Sequence, residues 1–139
     1  MRVIAPMMIL IMITATLAGC TDDGEASYVD DIHVYIDGGW GSDVELCNTA
    51  TVLEYGEYYA CHFDAYDGDV LMIELDVKDT SPMVDLITMD DLNFEAWKDG
   101  GAYYYLEGVS DFETHGGTYG GDGSLSEGTY YVVVANGVR

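Results

Sequence analysis

Alternation of apolar and polar side chains organises the stretch from Tyr58 to Val77, YYACHFDAYDGDVLMIELDV. Leu71, Ile73, Leu75 and Val77 fall on one face of an extended chain and Met72, Glu74 and Asp76 on the other, the period of a half-buried strand. In the preceding run Tyr59, Cys61, Phe63 and Ala65 share a face, opposite Tyr58, Ala60, His62 and Asp64. Between them, Tyr66-Asp67-Gly68-Asp69 carries an Asp-Gly dipeptide whose glycine accepts the positive φ of a tight turn. The pattern predicts an antiparallel hairpin with one apolar face. A lone hairpin is marginal in water, so other strands must cover that face.

The rest of the chain supplies them. Ile32, Val34 and Ile36 alternate with His33 and Tyr35, predicting a first strand over 31–36 that the glycines of Asp37-Gly38-Gly39-Trp40-Gly41 end. Val44 to Leu53 reads as strand fragments broken near Asn48. Pro82 cannot donate to a ladder, so the next strand, Val84 to Met89, begins after it. Asp90 or Asp91 then caps a short helix near 91–98, with Leu92, Phe94 and Trp97 toward the core and Asp99-Gly100-Gly101 as its stop. Tyr103 to Val109 and Phe112 to Tyr119 predict a second strand pair, followed by a flexible glycine loop over 116–123. Thr129 to Asn136, TYYVVVAN, is apolar without alternation, which suits a strand that is central or covered on both faces. The fold class is therefore all-β: an antiparallel β-sandwich, jelly-roll-like, of seven or eight strands with one short helix.

Ahead of this domain the pattern changes. Arg2 precedes an almost wholly apolar run from Val3 to Thr16, a hydrophobic signal helix too short for a comfortable membrane span, and Leu17-Ala18-Gly19-Cys20 follows. That tetrad resembles the lipobox of prokaryotic lipoproteins, which implies cleavage before Cys20 and lipid on its thiol. The expected organisation is a lipoprotein signal peptide over 1–19, a flexible acidic tether over 20–30 and a β-sandwich domain over 31–139.

Charge changes the picture further. Four basic residues stand against 26 acidic ones, a net charge of −22, and removal of Arg2 with the signal makes the balance more negative still. Such a surface repels nucleic acid and anionic headgroups, so the membrane is reached through the lipid on Cys20 alone. The ratio also suits adaptation to a salty environment, where screening relieves repulsion among carboxylates. Twelve tyrosines, three phenylalanines and two tryptophans separate the chain from acidic disordered sequences.

With Cys20 assigned to lipid, Cys47 and Cys61 form an even pair in an exported chain, read as a disulfide in preference to two free thiols. Other chemistry is sparser. There is no Gly-x-Ser-x-Gly, and His33, His62 and His115 lie on separate runs. Asp64, Asp67 and Asp69 around one turn offer hard oxygen ligands for calcium, the one cofactor to consider, although they lack the EF-hand spacing and a solvated turn competes with the idea. Tyr103-Tyr104-Tyr105 and Tyr130-Tyr131 must put rings on both sides of their strands. Outward rings would make a binding surface for a protein or carbohydrate partner, unless they cover the sheet instead.

Four pieces occur in an order that resembles pre-peptidase C-terminal domains, and GOLD domains of secretory-pathway proteins look similar as well. They are Gly56-x-Tyr58-Tyr59, then Gly68-Asp69-x-Leu71-x-Ile73, then Pro82-x-Val84-Asp85-Leu86 with Phe94 and Trp97 after it, and finally Leu125-x-x-Gly128-Thr129-Tyr130-Tyr131-x-Val133-Val134-x-Asn136. The resemblance covers about residues 44 to 136 and implies a small extracellular jelly-roll-like sandwich that mediates binding and brings no catalytic residues. The expectation is a lipid-anchored protein on the outer face of the cell membrane, acting as a non-catalytic binding module and not as an enzyme. The alternatives are a small secreted hydrolase or its accessory subunit, for which two facing carboxylates would be needed, and a structural component of the cell envelope.

Overall fold

The computed structural model describes residues 24–38, 42–121 and 123–137. The signal segment, Cys20 and residues 39–41 lie outside the described residues. Eight strands form two four-stranded antiparallel sheets: β1 (Ser27–Asp37), β2 (Val44–Leu53), β3 (Tyr58–Ala65), β4 (Val70–Val77), β5 (Val84–Asp90), β6 (Asp111–Thr114), β7 (Gly116–Gly120) and β8 (Gly128–Ala135), with the helix α1 (Asp91–Lys98) after β5. One sheet has the order β2-β1-β4-β7 and the other β3-β8-β5-β6. The pairs β3·β8, β4·β7 and β5·β6 are nested along the chain and alternate between the sheets, which is the winding of a jelly roll, and the β1·β2 pair completes it.

The hairpin expected between Tyr58 and Val77 does not form. β3 pairs with β8 and β4 with β1 and β7, so the Asp67-Gly68 turn carries the chain from one sheet to the other. The turn itself is as expected, with Gly68 at φ 92° and Asp69 N donating to Tyr66 O at 3.0 Å. The physical reason is the apolar faces. In one sheet Tyr59, Cys61, Phe63 and Ala65 would need cover from elsewhere, whereas an arch sets them against Leu71, Ile73, Leu75 and Val77 in a single core.

Other elements differ from the pattern in instructive ways. β1 begins at Ser27, four residues into the expected tether, because Ser27 Oγ donates to Pro82 O at 2.8 Å and Val29 enters the core. β2 runs unbroken: Asn48 pairs with His33, and register shifts lie on either side of it, opposite Val29/Ile32 and Val34/Tyr35. Tyr103 to Val109 is not a strand. Residues 101–106 are irregular and Glu107–Val109 is a 3-10 turn, held to Thr88 of β5 by one backbone bond and two side-chain bonds: Leu106 N donates to Thr88 O at 2.9 Å, Thr88 Oγ1 to Val109 O at 2.6 Å and Thr88 N to Ser110 Oγ at 2.9 Å. The expected glycine loop begins as β7, an edge strand passing so close to β4 that a Cβ at Gly120 (φ 108°) would collide with the Leu71 carbonyl.

The helix appears where the caps place it. Asn93 N donates to Asp90 Oδ1 at 2.9 Å, and Gly100 at φ 81° ends the run. Phe94 and Trp97 are buried as expected, but Leu92 is 77% exposed, because α1 lies on the outer face of the second sheet and Leu92 points away from it. A second apolar cluster forms there from Ala60, Ile87, Met89, Phe94, Trp97, Val133 and Ala135. This explains the unbroken apolar run of β8: Val132 and Val134 face the sandwich interior, Val133 and Ala135 face the helix.

Two buried polar groups give measurable handles. Asn136, 2% exposed, donates through Nδ2 to Glu25 O at 2.8 Å and Leu53 O at 2.9 Å, tying the ends of β2 and β8 to the segment before β1. Asn136→Leu leaves both carbonyls unpaired and is expected to cost about 2 kcal/mol in urea unfolding; an unchanged midpoint would mean that those carbonyls find other donors. Tyr59, 3% exposed, has its phenol pushed up to about 12 by burial. A native pKa above the unfolded value means that the unfolded chain loses the proton first as pH rises. Stability is therefore full below about pH 10 and falls between about 10 and 12, by roughly 2 to 3 kcal/mol from this group. Alkaline unfolding of Tyr59→Phe should show a shallower fall; an equally steep one would place the titration elsewhere.

Candidate functional site

The outer face of the second sheet carries a cluster of aromatic side chains, and their order follows from strand alternation. On β8, Tyr130 turns inward and Tyr131 outward. Tyr130 is 9% exposed, stacks on Phe63 at 5.9 Å and donates its hydroxyl to Ser126 O at 2.9 Å, so this member of the expected tyrosine surface is a core residue. Tyr131 is half-buried between Phe94, 3.9 Å away and nearly parallel, and His62, 4.8 Å away. Burial, with the charges of Glu95 and Asp91, pushes its phenol up. The five tyrosines therefore do not make one patch.

The loop tyrosines do reach solvent. Tyr103 packs against the helix cluster, Tyr104 is 84% exposed and Tyr105 is 41% exposed. They are held by the helix: Tyr104 N donates to Asn93 Oδ1 at 2.8 Å, and Asn93 is itself fixed by Asp90. Tyr105 lies 6.3 Å from Tyr103 and meets Phe112 edge-on at 5.1 Å. The exposed Leu92, Tyr104, Tyr105 and Phe112 follow the chain from the helix through the loop to β6, an apolar strip whose links are the Asn93–Tyr104 hydrogen bond and the Tyr105–Phe112 ring contact. Sequence reasoning missed Leu92 and Phe112. Asp111-Phe112-Glu113 held the signal for the latter, a large apolar residue between two acids on a strand too short to enclose it.

Acids border the strip. Asp85, on the outer face of β5, accepts a hydrogen bond from Glu113 N at 2.9 Å. Burial pushes the Asp85 carboxyl up, helped by the Glu113 charge and opposed by that hydrogen bond. Tyr103 is raised by burial first and by Asp85 second. Glu113 has φ 56°, a left-handed conformation that costs a non-glycine residue of the order of 1 kcal/mol or more and turns the chain sharply beside Asp85. Asp85 and Glu113 also line a cleft of 280 Å³ with Glu25, Tyr55 and Met83.

The expected calcium ligands each accept a hydrogen bond within the protein. Thr129 Oγ1 donates to Asp64 at 2.9 Å across the β3·β8 pair, Glu127 N to Asp67 at 2.8 Å ties the turn to the segment before β8, and Tyr66 N to Asp69 at 2.8 Å closes the turn on itself. Among the described residues no group of three or more His, Cys, Asp and Glu side chains is placed to hold a metal ion. The histidines are apart: His33 sits between Glu74 (3.5 Å) and Glu45 (3.9 Å), His62 on Tyr131, and His115 Nε2 donates to Ser81 O at 2.8 Å. Cys47 and Cys61 are bonded as expected. A second cleft, of 210 Å³ at the end of the sandwich, is lined by Leu71, Leu106, Val109 and Leu125 with Glu107 at its rim.

No family model, curated protein or solved structure matches the chain.

Proposed function

We propose that the chain is an extracytoplasmic lipoprotein, held at the outer face of the cell membrane by lipid on Cys20, whose sandwich acts as a non-catalytic binding module for a protein or carbohydrate partner. The observation that carries the module reading is the exposed strip Leu92, Tyr104, Tyr105 and Phe112. Several large apolar side chains exposed along one stretch, with the Tyr104 backbone fixed by the Asp90–Asn93–Tyr104 hydrogen bonds, favour a recognition surface. The Leu17–Cys20 tetrad supports the anchor, and the Cys47–Cys61 disulfide supports an oxidising compartment. The resemblance to pre-peptidase C-terminal domains points the same way, toward attachment and not catalysis.

Two measurements test the reading. Cys20→Ala is expected to move the protein from the membrane fraction to the soluble one; retention in the membrane would refute the lipid anchor. Tyr104→Ala in the full chain is expected to weaken retention of peptide and cell-surface oligosaccharide probes without altering the melting temperature, and equal retention would remove the strip from the site. The excess of 26 acidic over 4 basic residues further supports adaptation to salt. The melting temperature is then expected to rise between 0.1 and 2 M salt as repulsion is screened, and a flat or falling curve would count against it.

A further inference from the structure

The charge around the strip narrows the partner. We propose that the rings of Tyr103, Tyr105 and Phe112, with the carboxylates of Asp85 and Glu113, form a seat for the cationic head of a lysine or arginine side chain carried by a basic segment of a partner protein. This rests on the binding-module reading and names what the module takes.

The geometry of the rings comes first. Tyr103 and Tyr105 are tilted by 52° at 6.3 Å, and Tyr105 and Phe112 meet at 76° and 5.1 Å. Rings set at steep angles offer more than one face to a single cation, the arrangement that recognises ammonium groups. Tyr105 and Phe112 are 41% and 39% exposed, so the faces can be reached.

The carboxylates supply the counter-charge. Asp85 and Glu113 are joined by the Glu113 N–H at 2.9 Å, and Tyr103 lies within the field of Asp85. Neither acid meets a basic side chain among the described residues: Lys98 is committed to Glu95 at 3.3 Å, and Lys78 lies over Tyr28 at 5.8 Å. A cation brought by a partner would find two acids and three rings together.

The same face already shows the chemistry within the chain. Lys98 Nζ sits 4.8 Å above the Phe94 ring while pairing with Glu95, a lysine held between an aromatic face and a carboxylate. The occupant follows from charge complementarity. At a net charge of −22 a second copy of the chain or an acidic partner is repelled, and a neutral glycan gains nothing from the acid pair.

The test uses the full chain in detergent micelles and four probes: a lysine-rich peptide, an arginine-rich peptide, the lysine peptide with its side chains acetylated, and a neutral oligosaccharide. Titration calorimetry is run at low salt and at 1 M salt, where diffuse attraction to an acidic surface is screened away. The basic peptides are expected to bind in both conditions and the acetylated one in neither. Asp85→Asn and Tyr105→Ala should each weaken binding by roughly threefold to tenfold, and Tyr105→Phe, which keeps the ring, should stay within about twofold. Circular dichroism confirms that the variants fold. Equal binding by these variants, by the acetylated peptide, or loss of all binding at 1 M salt would overturn the seat. Oligosaccharide binding that Tyr104→Ala abolishes, with no binding of basic peptides, would overturn the seat and leave the module standing. Absence of binding by every probe would overturn both.

Discussion

Reduction of the Cys47–Cys61 bond is expected to lower the free energy of unfolding by about 3 kcal/mol, the loop-entropy value for a closed loop of about fifteen residues. The position of the bond adds a structural consequence. β2 ends one sheet and β3 ends the other, so the disulfide joins two edges across the open side of the sandwich. The opposite side is closed by weaker means, where Tyr119 on β7 donates to Asp111 of β6 at 2.8 Å and contacts Thr114 of β6 at 3.2 Å. Losing the covalent side should therefore free β2, which pairs with β1 alone. Denaturant unfolding with and without reductant gives the energy, and hydrogen exchange gives the place, with β2 amides losing more protection than those of β4. Cys47→Ala with Cys61→Ala should match the reduced protein, slightly lowered by lost packing, since the two residues are 6% and 0% exposed. Identical midpoints for oxidised and reduced protein would show that the native contacts alone fix this edge.

How far the sequence foretold this depends on the range of the interaction concerned. Alternation identified β1, β3 and β4 with their inward faces, because period two is a local property and those faces end in one core; β5 was placed as a strand only, since it buries residues on both sides. Caps placed α1 to within a residue, since Asp90 and Gly100 act on their own neighbours. What failed was pairing. The Asp-Gly turn between β3 and β4 has the same local chemistry whether it closes a hairpin or bridges two sheets, and only the need to bury both apolar faces decides. The stretch from Tyr103 to Val109 failed for a related reason: three consecutive tyrosines suit a strand by propensity, yet Thr88 and Ser110 hold that segment by side-chain hydrogen bonds that leave no mark in its own pattern. For the site, the sequence showed that some ring of Tyr103-Tyr104-Tyr105 must face outward, but not that Tyr104 and Tyr105 both do. Tyr130 was not excluded, because alternation gives two faces and does not say which one a helix covers. Leu92 was assigned to the core for the converse reason, its helical phase being clear and the position of the covered sheet unknown.

The helix is where fold and site meet, and Trp97→Ala is expected to show it with the largest loss of any single substitution considered, about 3 to 5 kcal/mol. Trp97 is 3% exposed, meets Tyr58 edge-on at 5.0 Å and lies 6.0 Å from Phe94. These rings are the contact of α1 with the outer face of the second sheet, separate from the core between the sheets. The loss should therefore be uneven. Amides of 91–112 are expected to exchange faster than those of β1 and β4, because Asn93, which fixes Tyr104, sits on the undocked helix. Trp97→Phe keeps an aromatic ring and should cost much less, and Leu92→Ala, on the exposed side, should stay within about 0.5 kcal/mol. A Trp97→Ala protein that melts like Leu92→Ala would mean that the helix is an ornament on a self-sufficient sandwich. Uniform loss of protection across both sheets would mean instead that the outer cluster and the inner core unfold as one unit, and that the exposed strip borrows its rigidity from the whole domain.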